Sequence, residues 1–377
     1  MMLTEEQVMI RDMAREFATG TLAPKARERE KAGAIEPELI GQLGELGFLG
    51  MTIDPDWGGA GADYVSYALA MIEIAAGDGS VSTLVSVHNA PVCAVLDRFA
   101  SDEQKERWLR PLASGERVGS FALTEPQAGS DASNLKTRAR CTNEGWTING
   151  AKQFISSARI GKTTVLFAMT DPEKAKKGMS CFVVSNDTPG FEIVKVEEKL
   201  GQKASDSCAL AFTDMAVPAG DLIGDEGQGY AIALSSLEAG RIGIAAQATG
   251  LAQAACERAL AYAQERTAFG GPIFKLQAVQ FRLAEMATEV ECARAMVLRA
   301  AAMKDAGEPC LKEACMAKLY CAEAAERVTS AAIQVLGGYG YLADYEVERM
   351  YRDQKVCQIY EGTNDIQKLI IARQIAG

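Results

Sequence analysis

The order of periodicities along the chain is its strongest constraint. Residues up to about 115 repeat apolar positions at helical spacing, residues from about 118 to 222 fall into short β-rich runs between turns, and from about 226 the helical period returns. A 3.6-residue period and a two-residue period bury different side chains, so one pattern does not serve for the other. The chain therefore reads as mainly α with a central β domain. We expect an N-terminal helical domain over 1–116, a middle antiparallel β-barrel or sandwich over 117–225, and a C-terminal four-helix bundle over 226–377. A length of 377 residues agrees with two or three domains.

Local signals fill in this outline. Thr4-Glu5-Glu6-Gln7 and Ser101-Asp102-Glu103-Gln104 are capping-box patterns. Thr21-Leu22-Ala23-Pro24 is expected to end or kink the first helix, Pro37 to open the next, and Pro111 to close the short helix after Ser101. Further helices are expected over 63–77 and 80–100. Asp54–Gly61 is rich in glycine but lacks G-x-G-x-x-G and a preceding strand, so it reads as a connector. Trp146-Thr147-Ile148 followed by Asn149-Gly150 signals a hairpin. Thr163–Met169, Ser180–Ser185, Phe191–Val196 and Ser207–Phe212 read as strands. The alanine-rich runs Gly229–Arg266, Gln277–Ala306 and Leu311–Leu336 read as long bundle helices, the last stopped by Gly337-Gly338. Their many small residues would let helices approach closely, as suits a core shared between subunits.

Composition narrows the function classes. A net charge of −11 argues against nucleic acid or an anionic membrane as partner. The first twenty residues carry four acids and no apolar h-region, and no uninterrupted apolar run of about 18 residues occurs, so neither a secretory signal nor a transmembrane helix is expected. Ten cysteines without a C-x-x-C pair indicate neither a zinc site nor a disulfide framework, and fit a reducing cytoplasm. The single histidine, His88, makes a histidine metal site or a Ser-His-Asp triad unsupported; it lies in an apolar helical stretch and reads as structural.

The stretch that carries chemistry is Tyr360-Glu361-Gly362-Thr363-Asn364-Asp365-Ile366-Gln367. A carboxylate stands between an aromatic and a glycine, just before a helical run that Thr363 or Asn364 would cap. Glu361 is thus expected in a turn at a helix mouth. Apolar neighbours there would disfavour its charge and suit it to act as a base near neutral pH, although a single glutamate taken alone is most often a surface residue.

Gln334-Val335-Leu336-Gly337-Gly338-Tyr339-Gly340-Tyr341, Tyr351-Arg352-Asp353 and Ile359–Asn364 together resemble the C-terminal signature of the acyl-CoA dehydrogenase family, and the likeness extends over essentially the whole chain. Phe121–Asp131 and Phe154-Ile155-Ser156 resemble the family's two flavin-contacting segments. Glu265–Gly270 with Leu276-Gln277 resembles its part for the adenosine diphosphate of FAD. The helix-strand-helix order fits the same family.

The resemblance implies a reaction and roles. An acyl-CoA would lose its α-proton to Glu361 and a β-hydride to N5 of FAD, giving the trans-2-enoyl-CoA. The thioester oxygen would be stabilised by the N–H of Glu361 and a ribityl hydroxyl. FAD would be held by Phe121, Ala122, Leu123, Thr124, Gly129, Ser130, Phe154, Ile155 and Ser156. Phe269, Leu276 and Gln277 would bind the adenosine diphosphate part of FAD; Arg266, with Gln334, Val335, Leu336, Gly337 and Gly338, would reach a flavin in a neighbouring subunit; Thr363 and Asn364 would touch FAD beside the base. Ser130, Glu238, Arg241, Tyr360 and Gly362 would contact the acyl-CoA.

Some relatives place the base on an earlier helix, at the position of Gly240, where glycine cannot serve; Glu238, about 200° round that helix, should face elsewhere. The likeness is nearest to short-chain and short branched-chain members. It also implies electron-transferring flavoprotein as acceptor and a homotetramer. A mitochondrial matrix location would follow if a transit peptide preceded this sequence. Three alternatives remain open: an acyl-CoA oxidase, a dicarboxylyl-CoA dehydrogenase, and a non-catalytic helical protein that binds CoA.

Overall fold

The computed structural model describes residues 2–376, and helices flank a central sheet. Both capping boxes form: Thr4 and Ser101 each accept from the backbone three residues on, and Gln7 and Gln104 reach back. Pro24 does not end the first helix. Glu5–Phe17 passes through a wide turn at Ala18–Leu22 into Ala23–Ala32, where the proline sits among N–H groups already freed by that turn. Pro111 likewise lies inside a helical segment, Arg110–Ala113, with a wide turn before it. Pro37 does open the next helix, Pro37–Glu45.

The run Gly79–Phe99 is long and apolar enough to cross a membrane by length and composition, but 89% of its apolar 18-residue window is buried inside the protein. It is a core helix. His88 within it is fully buried and neutral. Its Nδ1 accepts from the Gly119 N–H at 3.1 Å, so its Nε2 carries the proton and donates to the Leu112 carbonyl at 3.0 Å. It thereby ties the end of the N-terminal helices to the first strand. Burial pushes its pKa down to about 4. A folded-state value below the unfolded one (about 6.5) means that the stability is whole above pH 6.5 and is lost as pH falls toward 4. Between pH 7.5 and 4.5 this one residue is expected to remove roughly 2–3 kcal/mol. Unfolding free energies from urea titrations at the two pH values should differ less in His88→Gln than in the parent by that amount.

The sheet has eight strands: β1 (Gly119–Ala122), β2 (Arg138–Thr142), β3 (Gly145–Ser156), β4 (Thr163–Met169), β5 (Met179–Ser185), β6 (Phe191–Val196), β7 (Ser207–Pro218) and β8 (Leu222–Ile223). Their order is β6-β7-β3-β2-β4-β5-β8, with β1 beside β4. The expected antiparallel barrel is corrected on two counts. The sheet is open, its ends β6 and β8 unpaired with each other, and β1 and β2 both run parallel to β4. The expected hairpin at Asn149-Gly150 is also absent. β3 runs straight through it because both neighbours pair there, Asn149 with Arg138 and Gly150 with Phe212, and the pair makes a bulge instead. The turn falls at Asn143–Glu144, between Thr142 and Gly145.

Long helices Gly229–Glu265, Gln277–Asp305 and Leu311–Leu336, with Asn364–Ala376, follow the sheet. They do not form a core of their own. Tyr67, Leu69 and Ile72 of the Tyr64–Gly77 helix share one buried cluster with Ile244, Ala248 and Leu251, so the first and last thirds of the chain pack as one body. Small residues make this possible within the chain itself: a Cβ at Gly250 would lie 2.1 Å from the Ile72 carbonyl oxygen.

Candidate active site

Glu361 stands where the local sequence puts it, in a turn between the short helix Lys355–Gln358 and the helix Asn364–Ala376. Thr363 caps the latter, its Oγ1 accepting from the Ile366 N–H at 3.3 Å. Glu361 has φ +53° and Gly362 φ +85°, two left-handed residues in a row. Glycine suits its position because that φ is strained for any residue with a Cβ, and the glutamate bears that strain. Gln367 Nε2 donates to the carbonyls of Glu361 (3.2 Å) and Gly362 (2.8 Å) and holds the turn.

The turn aims the carboxylate at the Gly229–Glu265 helix. A Cβ added to Gly240 would lie 2.5 Å from Glu361 Oε2, and that oxygen is buried with no hydrogen-bond partner. Burial pushes the Glu361 pKa up; Arg241 and Lys318 pull it partly back. Three buried polar atoms lack partners on or against this one turn of helix: Glu361 Oε2, Arg241 Nε, and the Tyr67 hydroxyl, which a Cβ at Gly243 would approach to 2.6 Å. Orphaned polar groups in a dry setting are costly unless a ligand satisfies them, so the arrangement fits a bound polar molecule. Gly240→Ala is expected to turn the Glu361 carboxylate aside, with a stability cost below about 1.5 kcal/mol because the side chain it meets is free to rotate. Urea unfolding of the variant beside the parent checks it.

Other expected ligand contacts are arranged unequally. Tyr360 is half-buried and donates its hydroxyl to Gln247 Oε1; Gln247 in turn donates to Ser82 Oγ and Thr83 Oγ1, both at 2.7 Å. Glu238 does face away from Glu361, paired with Lys304 at 3.1 Å. Ser130 and Gly129 lie on an exposed loop. Sequence reasoning missed Gln247 and Lys318. Lys318 is fully buried and donates at 2.9 Å to both the Gly362 carbonyl and Asn364 Oδ1. Its signal was present: it occupies the apolar stripe formed by Ala314, Cys315, Cys321 and Ala322, where a lysine is out of place.

The two segments expected at the flavin ring come side by side. The Gln153 N–H donates to the Thr124 carbonyl at 2.9 Å, which lays Phe121–Thr124 along the end of β3. A second bulge, between Lys152 and Ile155, holds Phe154 at φ +60° and leaves it exposed, while Ile155 is buried. Beneath them lies a buried ion pair that the sequence reading also missed. Lys152 Nζ meets Glu125 Oε1 at 2.9 Å, and Lys152 also donates to the Leu123 carbonyl. The Glu125 carboxylate accepts from the N–H groups of Lys136 and Thr137. Burial pushes Glu125 up, but Lys152 and these bonds bring it below the ordinary carboxylate value; burial pushes Lys152 down to about 8.

Arg266, Val335, Leu336, Gly337 and Gly338 form a second, separate place. With Tyr262, Ile273, Tyr339 and Leu342 they line an open cleft of about 380 Å³, and no residue of the sheet contributes to it. Arg266 lies over the Tyr339 ring at 5.6 Å. Phe269, Leu276, Gln277 and Gln334 are exposed near it in the chain, and nothing lies within 4 Å of where a Cβ on Gly337 or Gly338 would stand. With Arg266 as its cation, this open, glycine-lined cleft fits a phosphate-bearing group. Among the described residues no group of three or more His, Cys, Asp or Glu is placed to hold a metal ion.

Comparison with known proteins agrees with this geometry. Family models match residues 4–116 as the acyl-CoA dehydrogenase N-terminal domain, 120–215 as its middle domain and 227–376 as its C-terminal domain. The mitochondrial short-chain specific acyl-CoA dehydrogenase of Bos taurus is 43% identical over 370 residues, 98% of this chain and 90% of the relative. Butyryl-CoA dehydrogenase from Megasphaera elsdenii superposes with a TM-score of 0.98 at 39% identity, covering 100% of both chains. A chain from a structure described as electron-transferring flavoprotein of Acidaminococcus fermentans superposes with a TM-score of 0.98 at 42% identity, covering 99% of this chain and 98% of its own. Members of this family are FAD-dependent. A strained glutamate aimed at a glycine, two β segments laid edge to edge, and all three family models in order lead to one assignment: the chain belongs to the acyl-CoA dehydrogenase family.

Proposed function

We propose that this protein dehydrogenates a short or short branched-chain acyl-CoA at Cα–Cβ, with Glu361 as the base that removes the α-proton. The observation that carries the reading is Glu361 Oε2, a carboxylate oxygen that is buried, without a hydrogen-bond partner and facing a helix position with no side chain. Its charged form is disfavoured by burial, which raises its proton affinity toward that needed of a base. Arg241 and Lys318 offset part of that rise, favouring the ionised form. The Glu361 N–H has no acceptor among the described residues, so it is free to donate to the thioester oxygen as charge builds there. Arg241, whose buried Nε is unpaired, would meet the CoA portion, and Tyr360 would line the acyl pocket.

FAD, when bound, supplies the hydride acceptor. Phe121–Thr124 and Phe154–Ser156 would hold its ring with backbone groups and the hydroxyls of Thr124 and Ser156, and Thr363 and Asn364 would stand beside it. Arg266 and the Gln334–Gly338 turn would hold the pyrophosphate and adenosine of a flavin on a second subunit, because their cleft draws nothing from the sheet of its own chain. That reading requires at least a dimer, and a dimer of dimers is the form we propose. Electron-transferring flavoprotein is the proposed oxidant, in line with the chain from Acidaminococcus fermentans. Ten free cysteines suit a reducing compartment such as the bacterial cytoplasm.

The test is anaerobic flavin bleaching by a panel of straight and branched thioesters from C4 to C12. The highest kcat/KM is expected at four to six carbons, with slow reoxidation by oxygen. A preference for C10 or C12 would overturn the short-chain reading, and rapid oxygen turnover would make the protein an oxidase.

A further inference from the structure

Lys318 is placed where a lysine has no packing reason to be. Its neighbours on the buried stripe of the Leu311–Leu336 helix are Ala314, Cys315, Cys321 and Ala322, and it is itself 0% exposed. Buried ammonium groups are normally neutralised by a carboxylate. Lys318 instead spends its hydrogen bonds on two neutral acceptors, the Gly362 carbonyl and Asn364 Oδ1, each at 2.9 Å. Both belong to the turn that begins at Glu361. The carboxylate nearest in effect is that of Glu361 itself, one residue before the bonded carbonyl. The other titratable or charged groups that face Lys318 are Cys357 on the segment leading into the turn, Arg241 on the Gly229–Glu265 helix, and Cys315 on its own helix.

Two consecutive left-handed residues give the turn its shape, and one of them is the strained glutamate. A chain free to relax would bring Glu361 back to a right-handed or extended conformation and swing its carboxylate away from Gly240. Bonds to the carbonyl and side chain just beyond prevent this. Gln367 supplies one anchor but no charge. An ammonium supplies both an anchor and a positive field in a dry site, where an ion acts over several ångströms with little screening.

We infer that Lys318 is a positioning residue for the base: through its bonds to the Gly362 carbonyl and Asn364 Oδ1 it clamps the Glu361–Asn364 turn in its left-handed form, with its positive charge beside that turn. The inference rests on Glu361 being the base, and Lys318 acts through the turn that carries it.

The experiment uses the full-length, flavin-loaded enzyme and its Lys318→Met variant, which matches the length of the side chain without the charge. Flavin content and melting midpoint are measured first, then anaerobic bleaching by butyryl-CoA from pH 5.5 to 9.5. Lys318→Met should retain flavin and bleach roughly 100-fold more slowly at pH 7, the scale of a misplaced catalytic group. KM should stay within about threefold, so that the loss falls on kcat. The acid limb of the profile should move up by about one pH unit, because losing a nearby cation favours the protonated carboxyl.

Lys318→Arg, which keeps the charge, should return the acid limb toward the parent value. A merely structural lysine predicts the opposite pattern: lower melting midpoint or lost flavin with the acid limb unmoved, and that result would overturn the inference, as would bleaching within threefold of the parent. If Lys318→Met does not fold, Lys318→Gln, a neutral donor toward the same carbonyl, carries the same comparison. The parent enzyme gives an independent arm. Burial lowers Lys318 to about 8, so its bleaching rate should decline above that pH, and a rate that stays flat to pH 9.5 sinks the proposal without any variant. Failure of the base assignment is read separately, as turnover retained by Glu361→Gln.

Discussion

Glu361→Gln is expected to keep its flavin and its fold but to lose the substrate-driven bleaching of that flavin by roughly 10²–10⁴-fold, the range that a positioned general base contributes. Glutamine has nearly the same shape, so the left-handed turn held by Gln367, Lys318 and Thr363 should survive. What disappears is the capacity to accept a proton. The parent enzyme should also show its own signature in the same assay. Burial raises the Glu361 pKa, so the acid limb of the bleaching rate should lie above the ordinary glutamate value of about 4.3. Below that limb the carboxyl is protonated and inactive; above it the rate is full. Fast bleaching by Glu361→Gln, or a parent profile flat to pH 4.5, would take the base role away from this residue.

Lys152→Met is expected to destabilise the fold by about 3–5 kcal/mol, the usual result of removing one partner from a buried ion pair. The charge left behind is Glu125, 3% exposed and bonded to the N–H groups of Lys136 and Thr137. The damage should not stay local. Lys152 also holds the Leu123 carbonyl, and it precedes the bulge that aims Phe154 and Ser156. Loosening it should let the two proposed flavin segments part, so flavin should dissociate at a denaturant concentration below that of unfolding. Urea unfolding followed by flavin absorbance and by far-ultraviolet circular dichroism separates the two events. A loss under 1 kcal/mol with flavin retained through the transition would show that the pair is not needed for either. Replacing both partners by apolar residues, Glu125→Leu with Lys152→Met, should recover part of the stability.

These two experiments concern residues of opposite legibility. Glu361 could be found from the chain alone, because its position rests on short-range rules: a cap at Thr363, a glycine after the acid, an apolar run beyond. The helix-sheet-helix order, both capping boxes, the opening at Pro37 and the stop at Gly337 were equally local. Glu125 and Lys152 were not legible. They are twenty-seven residues apart, and each alone is an ordinary charged residue near a strand. The same holds for Arg241 against Glu361, and for Gln247 reaching Tyr360 and Thr83.

Where the local reading erred, a neighbour had overruled it. Asn149-Gly150 has the chemistry of a hairpin, yet β2 and β7 pair on both sides of it and hold the strand straight. Pro24 and Pro111 would break an isolated helix, but wide turns remove the hydrogen bonds they would have cost. A barrel and an open sheet bury the same alternating residues, so the pattern of single strands does not say whether β6 and β8 meet.

The sequence by itself determined which segments are helix or strand, where most of them end, and which acid sits at a helix mouth, since all of these depend on residues within a few positions of each other. Only the tertiary structure decided that this acid faces a glycine across the Gly229–Glu265 helix, that a buried lysine grips its turn, and that the first and last thirds of the chain share one core. Those facts arise from contacts between distant segments, whose energies depend on exclusion of water and on packing that no short stretch of chain contains.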